Sequence, residues 1–473
     1  MAKIKFGTDG WRSIMPKHPK SEGKGAFTLE NVEIVAQAMA DHYKKTTEYK
    51  KGFIIGYDRR LDSDNFAKAA ALVLAGNGFK VKMTNAECPT QVVSFHVLHQ
   101  KACAGVMITA SHNPPNYNGF KIKESFGGSS SKALTDKIEK LLGKNPVQRG
   151  KESELERFDP KPDFFKNVEK IVDLKKIAAS GIKIVVDPLY GSGAGYIPKI
   201  LATAGMQVEE INNKRDIEFG GLNPEPLDYN VPDLLKKMKK ESNDYAVGLI
   251  LDGDADRNGA CGTHGDFLNS QKVFSILIHH MCKNRGLKGK VVHAFNNSRI
   301  ISRIAKEYGL DTVETKIGFK YIAEQILKGG VLVGGEESGG YAVQGNIPDR
   351  DGVTNSLLLA EAMAFEKKSL DGIYADLEEK FGKRAYGRID LHLENEKKVK
   401  LLDMLKNNTP QEFYGKKITE KETLDGVKLN FEDTSWILFR ASGTEPIIRI
   451  YSDASTDKDV QALLKQGKEY AEK

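Results

Sequence analysis

The sequence predicts an α/β protein built from three similar α/β domains with mixed, largely parallel sheets, followed by a smaller C-terminal α+β domain. Three observations carry that prediction. A single plan recurs three times along the chain: a short apolar strand, a polar or Gly-rich turn, a helix, a Gly-apolar pair and a second strand. After about Gly382 the plan gives way to an alternating segment, a charged helix, further strands and a C-terminal helix. At 473 residues the chain also exceeds what one hydrophobic core serves and points to roughly three or four domains.

The first repeat runs from Phe53-Ile54-Ile55-Gly56 through the turn Asp58-Arg59-Arg60 and a helix around Phe66 to Leu74, then Gly78-Phe79 and Val81. The second starts at Ile182-Lys183-Ile184-Val185-Val186, turns at Tyr190-Gly191-Ser192-Gly193 and reaches Gly205-Met206 and Val208. The third starts at Val291-Val292, turns at Asn296-Asn297-Ser298 and reaches Gly309-Leu310 and Val313. Such alternation is the signature of βαβ units on a largely parallel sheet. A polar stretch at 146–162, rich in Lys, Glu and Pro, and a second at 262–266 read as boundaries. The expected domains are therefore 1–155, 156–263, 264–382 and 383–473.

Composition narrows the class of function. A hydrophobic fraction of 40% and a charged fraction of 29% are those of a globular protein. Net charge is +7, with Lys and Arg interleaved among Asp and Glu, so no nucleic-acid footprint is expected. No run of 18 apolar residues occurs and no secretory segment opens the chain, so neither membrane spanning nor export is expected. Cys88, Cys103, Cys261 and Cys282 form no CxxC pair and read as reduced structural thiols. A cytoplasmic enzyme acting on a small molecule, without an obligate protein partner, is the expectation.

The strongest local signal is Asp252-Gly253-Asp254-Ala255-Asp256-Arg257, directly after the apolar run Ala246 to Leu251. In an extended backbone, carboxylates at steps of two converge on one side while Gly253 and Ala255 keep the other clear. Oxygen-only ligands of high charge favour a hard ion such as Mg²⁺. A Ca²⁺ loop does not fit: Arg257 stands at its sixth position, where Gly is needed, and Thr263 at its twelfth, where Glu is needed. A solvated acidic turn is the plain alternative.

Three further segments carry weaker signals. Ser111, in Thr109-Ala110-Ser111-His112-Asn113-Pro114, follows the apolar segment Ala104 to Ile108 and reads as a serine on an exposed, stiffened loop. Such a serine carries a phosphoryl group when a metal or base lowers the cost of charge on its oxygen, and is otherwise a turn residue. Gly334-Gly335-Glu336-Glu337-Ser338-Gly339-Gly340 sets two carboxylates and a hydroxyl in a loop whose backbone can approach a ligand such as a sugar. Arg440-Ala441-Ser442-Gly443-Thr444-Glu445-Pro446 joins a guanidinium fork to hydroxyls and a nest of backbone N–H groups, a combination that grips phosphate. Gly191-x-Gly193-x-Gly195 misses the dinucleotide spacing by one residue and reads as a turn into a helix.

Taken together, these segments resemble the α-D-phosphohexomutase superfamily, most closely its phosphoglucomutases, from end to end of the chain. The motifs arrive in family order: Phe6-Gly7-Thr8-Asp9-Gly10-Trp11-Arg12, the Ser111 loop with Asn118-Gly119-Phe120-Lys121, the Asp252 loop, Glu336 to Gly340, and Arg440 to Pro446. The resemblance implies four domains around a central cleft, each giving one element. It implies phosphorylation of Ser111, and Mg²⁺ held by Asp252, Asp254 and Asp256 with a phosphoserine oxygen. Arg12, Lys121 and Arg257 would line the reacting end, with Lys316, Glu336, Ser338 and Arg350 on the substrate. Arg440, Ser442, Gly443 and Thr444 would hold the distal phosphate. The implied reaction interconverts glucose 1-phosphate and glucose 6-phosphate through glucose 1,6-bisphosphate, with mannose phosphates, and less readily glucosamine phosphates, as alternatives.

Two departures bear on the proton. Many bifunctional and glucosamine-type members end the sugar loop in His, where this chain has Gly340, and some phosphoglucomutases carry Lys where Arg350 precedes Asp351-Gly352. Arginine holds its proton too firmly to shuttle it. Lys121 or His112 becomes the acid/base candidate. A metal-dependent phosphosugar phosphatase and a non-catalytic phosphosugar sensor are the readings from other classes, and the phosphate grip and the presence of Ser111 with all three aspartates weigh against them.

Overall fold

A computed structural model describes residues 4–441 and 447–472. Its first sheet runs in the order Trp11–Ile14, Tyr117–Glu124, Ala104–Ile108, Phe53–Tyr57, Val81–Thr84, Leu155–Phe158. The last four strands are mutually parallel and the first two antiparallel to their neighbours. All five residues of Ala104–Ile108 are buried, as a continuous apolar run on a strand covered on both faces requires. Alternation divides its side chains between two cores. Val106 and Ile108 join Ile55 and Phe120 in a core private to this domain, while Met107 joins Ile54 on the other face.

That second face belongs to a core the first three domains share. It runs from Ile54 and Met107 through Ile184 and Leu249 to Val291, Leu332 and Leu357. The second sheet, ordered Phe267–Leu268, Asn258–Cys261, Ala246–Leu251, Lys183–Asp187, Glu209–Glu210, and the third, ordered Thr312–Thr315, Lys290–Ala294, Val331–Gly335, Tyr341–Val343, are both mixed. Helix Gly352–Glu366 is buried along nearly its whole length. Asp351 caps it by accepting from the Thr354 N–H at 2.9 Å, a contact worth about 1 kcal/mol. The Gly352 N–H donates to Ala255 O at 3.1 Å, so the helix begins against the acidic loop.

The C-terminal domain is an antiparallel sheet, Ala385–His392, Ile447–Ala454, Trp436–Ala441, Val427–Phe431, Lys416–Glu422, Glu412–Phe413. Ile437 and Phe439 face its own core, with Leu463 and Leu464 of the last helix. Trp436 and Leu438 point the other way, onto Phe295 of the third domain. Period-two alternation thus gives one strand both an internal core and a docking face.

Both polar stretches adjoin or include short strands. Leu155–Phe158, within the expected 146–162 boundary, pairs in parallel with Val81–Thr84. The 262–266 stretch is the turn of a hairpin whose return strand, Phe267–Leu268, pairs with Ala260 and Cys261. Turn-forming residues look alike at a hairpin and at a domain edge. Among the described residues, no helix is long and apolar enough to cross a membrane.

Candidate active site

The acidic loop begins where strand Ala246–Leu251 ends. Its carboxylates do not converge by extended alternation, as the sequence suggested. The chain folds back instead: the Ala255 N–H donates to Asp252 O at 2.9 Å, and Ala255 takes a left-handed conformation, φ +57°. A turn brings side chains of one segment together more tightly than a strand does. Asp252, Asp254 and Asp256 each place a carboxylate oxygen within 4.8 Å of the others', and all three residues are fully buried.

Ser111 sits against this loop. It is buried, 1% exposed, where an exposed serine was expected, because the second domain packs over it. A β-carbon on Gly253 would lie 2.6 Å from Ser111 O, so only glycine permits the approach. The Ser111 hydroxyl donates to Asp252 Oδ2 at 2.9 Å and lies 3.2 Å from His112 Nδ1. Ser111 itself has φ +53°.

The donor set suits a divalent cation. Asp254 uses one oxygen to accept from Thr90 Oγ1 at 2.6 Å and Lys121 Nζ at 2.7 Å; Asp256 uses one on Lys121 Nζ and Arg350 Nη2, both at 2.9 Å. The remaining Oδ1 of each is buried and has no hydrogen-bond partner among the described residues. Bare buried carboxylate oxygens are costly unless a charge meets them. Burial, with Asp254 and Asp256 alongside, pushes Asp252 well above the usual carboxylate range, the sign of excess negative charge.

Four cations ring the acids. Lys121 is fully buried and also contacts Asp9 Oδ2 at 2.9 Å. Burial works against its charge, but Asp254, Asp256 and Asp9 outweigh it and raise the ammonium above its ordinary value. Arg350 Nη2 reaches Asp9 Oδ2 at 2.5 Å and its Nη1 lies 3.4 Å from Glu336 Oε2. Arg12 donates from Nη1 to Asn113 Oδ1 at 2.6 Å and to Ala110 O at 3.2 Å. Arg257 lies 3.5 Å from Glu225. Desolvation, then Arg257, Arg12, Lys121 and Arg350, drive His112 well below the ordinary imidazole value and keep it neutral.

Toward the other end of the cleft, the loop after Val331–Gly335 closes with the Glu336 N–H donating to Gly340 O at 3.0 Å. Glu337 pairs with Arg388 of the C-terminal domain at 3.6 Å and accepts from Asn296 Nδ2 at 3.3 Å. Ser338 is half-buried beside them. Arg440 donates from Nε to Asp425 Oδ2 at 3.2 Å, and that oxygen also accepts the Ile317 N–H at 3.0 Å. Lys316 is exposed. Ser442, Gly443 and Thr444 lie outside the described residues.

Models of the phosphoglucomutase/phosphomannomutase family match in series: α/β/α domain I over 3–148, domain II over 162–265, domain III over 269–381 and the C-terminal domain over 389–467. The chain belongs to this family of α-D-phosphohexomutases. A phosphoglucomutase/phosphomannomutase of Thermococcus kodakarensis is 29% identical over 99% of the chain and 98% of the relative. A protein of Methanosphaera stadtmanae named a probable phosphoglucosamine mutase is 32% identical over 98% and 97%. A crystal structure from Thermus thermophilus, assigned as a phosphomannomutase, superposes with a TM-score of 0.88 at 32% identity over the full length of both chains.

In this phosphohexomutase the candidate site residues divide among the four domains. Ser111, Arg12 and Lys121 come from domain I, the acidic loop and Arg257 from domain II, Glu336, Ser338 and Arg350 from domain III, and Arg440 from the C-terminal domain. Several participants had no role in the sequence reading. Asp9 was visible within the Phe6 to Arg12 run, yet nothing local marks it as the anion between Lys121 and Arg350. Thr90, Asp425 and Arg388 stand in unremarkable surroundings and are drawn in only by tertiary packing.

Proposed function

We propose that this phosphohexomutase interconverts glucose 1-phosphate and glucose 6-phosphate, with Ser111 as the phosphoryl carrier and glucose 1,6-bisphosphate as the intermediate. One observation carries the reading: the Ser111 hydroxyl lies 2.9 Å from Asp252, beside a buried ring of three carboxylates with two bare oxygens. A serine awaiting a phosphate and a cation has this environment. Asp252, Asp254 and Asp256 would hold Mg²⁺ together with an oxygen of the phosphoserine; when bound, the ion supplies neutralisation of phosphoryl charge.

The residues of the chain do the rest. The Oγ–P bond of phosphoserine breaks as a bond from phosphorus to a sugar hydroxyl oxygen forms, and the hydroxyl proton passes to a base of the cleft. Arg12, Lys121, Arg257 and Arg350 balance the charge on the transferring group, since phosphoryl transfer depends on position and electrostatics more than on covalent help. Of the two candidates to move the proton, His112, neutral and adjacent to the serine oxygen at 3.2 Å, is free to accept one, whereas the acids around Lys121 keep its ammonium charged. Glu336 and Ser338 would receive sugar hydroxyls, and Lys316 would reach the substrate from the rim. Arg440 with Ser442, Gly443 and Thr444 would hold the distal phosphate. After the bisphosphate turns over in the cleft, the other phosphate returns to Ser111, so that grip must accept either end of the sugar.

A second reading, glucosamine phosphates as substrate, is favoured by the name of the Methanosphaera relative. A coupled assay with Mg²⁺ and catalytic glucose 1,6-bisphosphate separates the two. Turnover of glucose 1-phosphate supports the proposal; good turnover of glucosamine phosphates with none of glucose 1-phosphate replaces it. Free phosphate released in step with substrate loss would identify a phosphatase instead. Ser111→Ala is expected to abolish isomerisation and leave binding nearly intact, and unchanged activity would sink the carrier mechanism.

A further inference from the structure

The Asp58-Arg59-Arg60 turn has no part in the reaction proposed above, yet it holds one of the most heavily bonded side chains in the molecule. Arg60 is 0% exposed. Its Nη2 donates to Ser111 O at 2.7 Å and Asn113 O at 2.6 Å, and its Nη1 to Pro114 O at 2.8 Å and Tyr117 O at 3.0 Å. One guanidinium therefore gathers four carbonyls of the serine loop. Its Nε lies 3.3 Å from Asp58 Oδ2, and the ring of Phe219, from domain II, covers its face at 4.9 Å.

Asp58 closes the circuit from the other side. Its Oδ2 accepts from Thr109 Oγ1 at 2.6 Å, and Thr109 Oγ1 in turn accepts the Ser111 N–H at 2.9 Å. Its Oδ1 accepts from Ser63 Oγ at 2.6 Å and the Arg60 N–H at 3.0 Å. Both the N–H and the C=O of Ser111 are thus tied, directly or through one hydroxyl, to a single buried ion pair. A non-glycine residue stays in the left-handed region only where its surroundings over-determine it, and Ser111 at φ +53° is such a residue.

We propose that Arg60, braced by Asp58, is a positioning residue for phosphoryl transfer: it fixes the backbone of Ser111 so that the serine oxygen is aimed at the acidic loop. The inference rests on the reading of Ser111 as carrier. Neither Arg60 nor Asp58 touches substrate. Lysine cannot replace the arginine, because an ammonium is a point with three donors and the four carbonyls are arranged around a planar fork. A displacement of about 1 Å in a reacting atom costs on the order of 100-fold in rate.

The experiment measures kcat, KM and the fraction of Ser111 carrying phosphate, by intact mass and peptide mapping, in the full-length parent, Arg60→Lys and Thr109→Val. The expected result for Arg60→Lys is a kcat per phosphorylated serine lower by about 100-fold with KM within threefold of the parent, since misaimed chemistry leaves sugar binding intact. Thr109→Val, which keeps the shape and removes only the hydroxyl link, is expected to lose roughly tenfold in the same parameter, and it decides the matter where Arg60→Lys yields no folded protein. A merely structural role would lower the melting temperature or the folded yield and leave kcat per phosphoserine at the parental value; that result overturns the proposal. A parent without phosphate on Ser111, and a Ser111→Ala variant that still turns over, would instead remove the carrier reading itself, a failure recognisable before Arg60 is touched.

Discussion

The two ends of the cleft are built on opposite plans. At the reacting end, Ser111, the three aspartates, Lys121 and Arg350 are buried, and their charges contact one another across three domains that share a continuous core. At the distal end, Arg440, Asp425 and Arg388 keep part of their side chains in solvent, at 17%, 24% and 29%. The C-terminal domain that carries them has a core of its own, docked through a small apolar patch and polar ties such as Arg299 to Asn430 and Lys428 to Glu314. On the proposed mechanism, a phosphoryl group that must move along one line meets charges already locked in place. A phosphate that the same proposal only holds, from either end of the sugar, would need no more than part-solvated side chains on a separate domain.

The difference predicts unequal sensitivity to single changes. The largest effect is expected from Asp254→Asn, which removes one charge from the acidic ring. Burial works against ionisation of Asp254, yet Lys121 and the Thr90 hydroxyl outweigh it and hold the carboxyl below its ordinary range. A lost metal contact is worth several kcal/mol of transition-state stabilisation, so kcat should fall by about 10³-fold or more. Mg²⁺ titration of the activity should show a large rise in the metal concentration required, and chelation of the parent should be fully reversible. A variant that retained a tenth of the activity would mean that the reacting end is not locked by its charges.

Next comes Gly340→Ala, a test of packing. A β-carbon at 340 would stand 2.2 Å from Arg350 Cδ, and Arg350 cannot step aside because Asp9, Asp256 and Glu336 hold its guanidinium. Gly340 and the arginine before Asp351 are therefore a matched pair, in which the missing β-carbon makes room for the Arg350 side chain. Kinetics should give a loss of roughly 30- to 100-fold in kcat, from displacement of a cation beside the reacting group. In an Arg350→Ala background the same glycine change should cost little more, because neighbours that act as a unit are not additive.

That pairing also marks how far sequence alone could be read. The three repeats, the alternating fourth domain and the Asp252 loop were legible, since apolar periodicity and clustered carboxylates are written locally. Gly340 and Arg350 were each legible as oddities, but their contact was not, because it spans the turn between two strands and a helix start. Ser111 was legible as a motif and misjudged as exposed, because its burial is supplied by Asp252 and Gly253 of another domain. Asp9, Arg60 and Thr90 stayed silent for the same reason: a buried cation, anion or hydroxyl carries no periodic signal, and Lys121, the Ser111 carbonyl and Asp254, which they meet, are far off in the chain.

At the distal end the expected losses are smaller and fall on binding. Arg440→Lys keeps the charge and loses the fork, and Asp425, which now orients it at 3.2 Å, would hold a less directional group. A rise of about tenfold in KM for both sugar phosphates, with kcat within twofold, fits loss of about 1.4 kcal/mol of uniform binding. Steady-state kinetics run in both directions would check it. A kcat loss as deep as that of Gly340→Ala would break the contrast between the two ends.

The smallest effect is expected from Lys316→Ala, and it is the most discriminating within the distal end. Lys316 is exposed, and among the described residues its side chain makes no hydrogen bond or ion pair. What is fixed there is the main chain beside it, through the Ile317 N–H on Asp425 at 3.0 Å. A solvated ammonium attracts a phosphate only through screened charge, with a Debye length of about 8 Å at physiological salt. The variant should raise KM about threefold at low ionic strength and by almost nothing at about 0.5 M salt, where screening has already removed its contribution. Asp425→Ala, by contrast, frees both Arg440 and the backbone at Ile317, and its larger KM change should persist at high salt, because it removes orientation as well as charge. Equal, salt-independent effects from the two variants would mean that Lys316 closes onto bound phosphate as a placed ligand, and that the distal end, too, is assembled around its substrate.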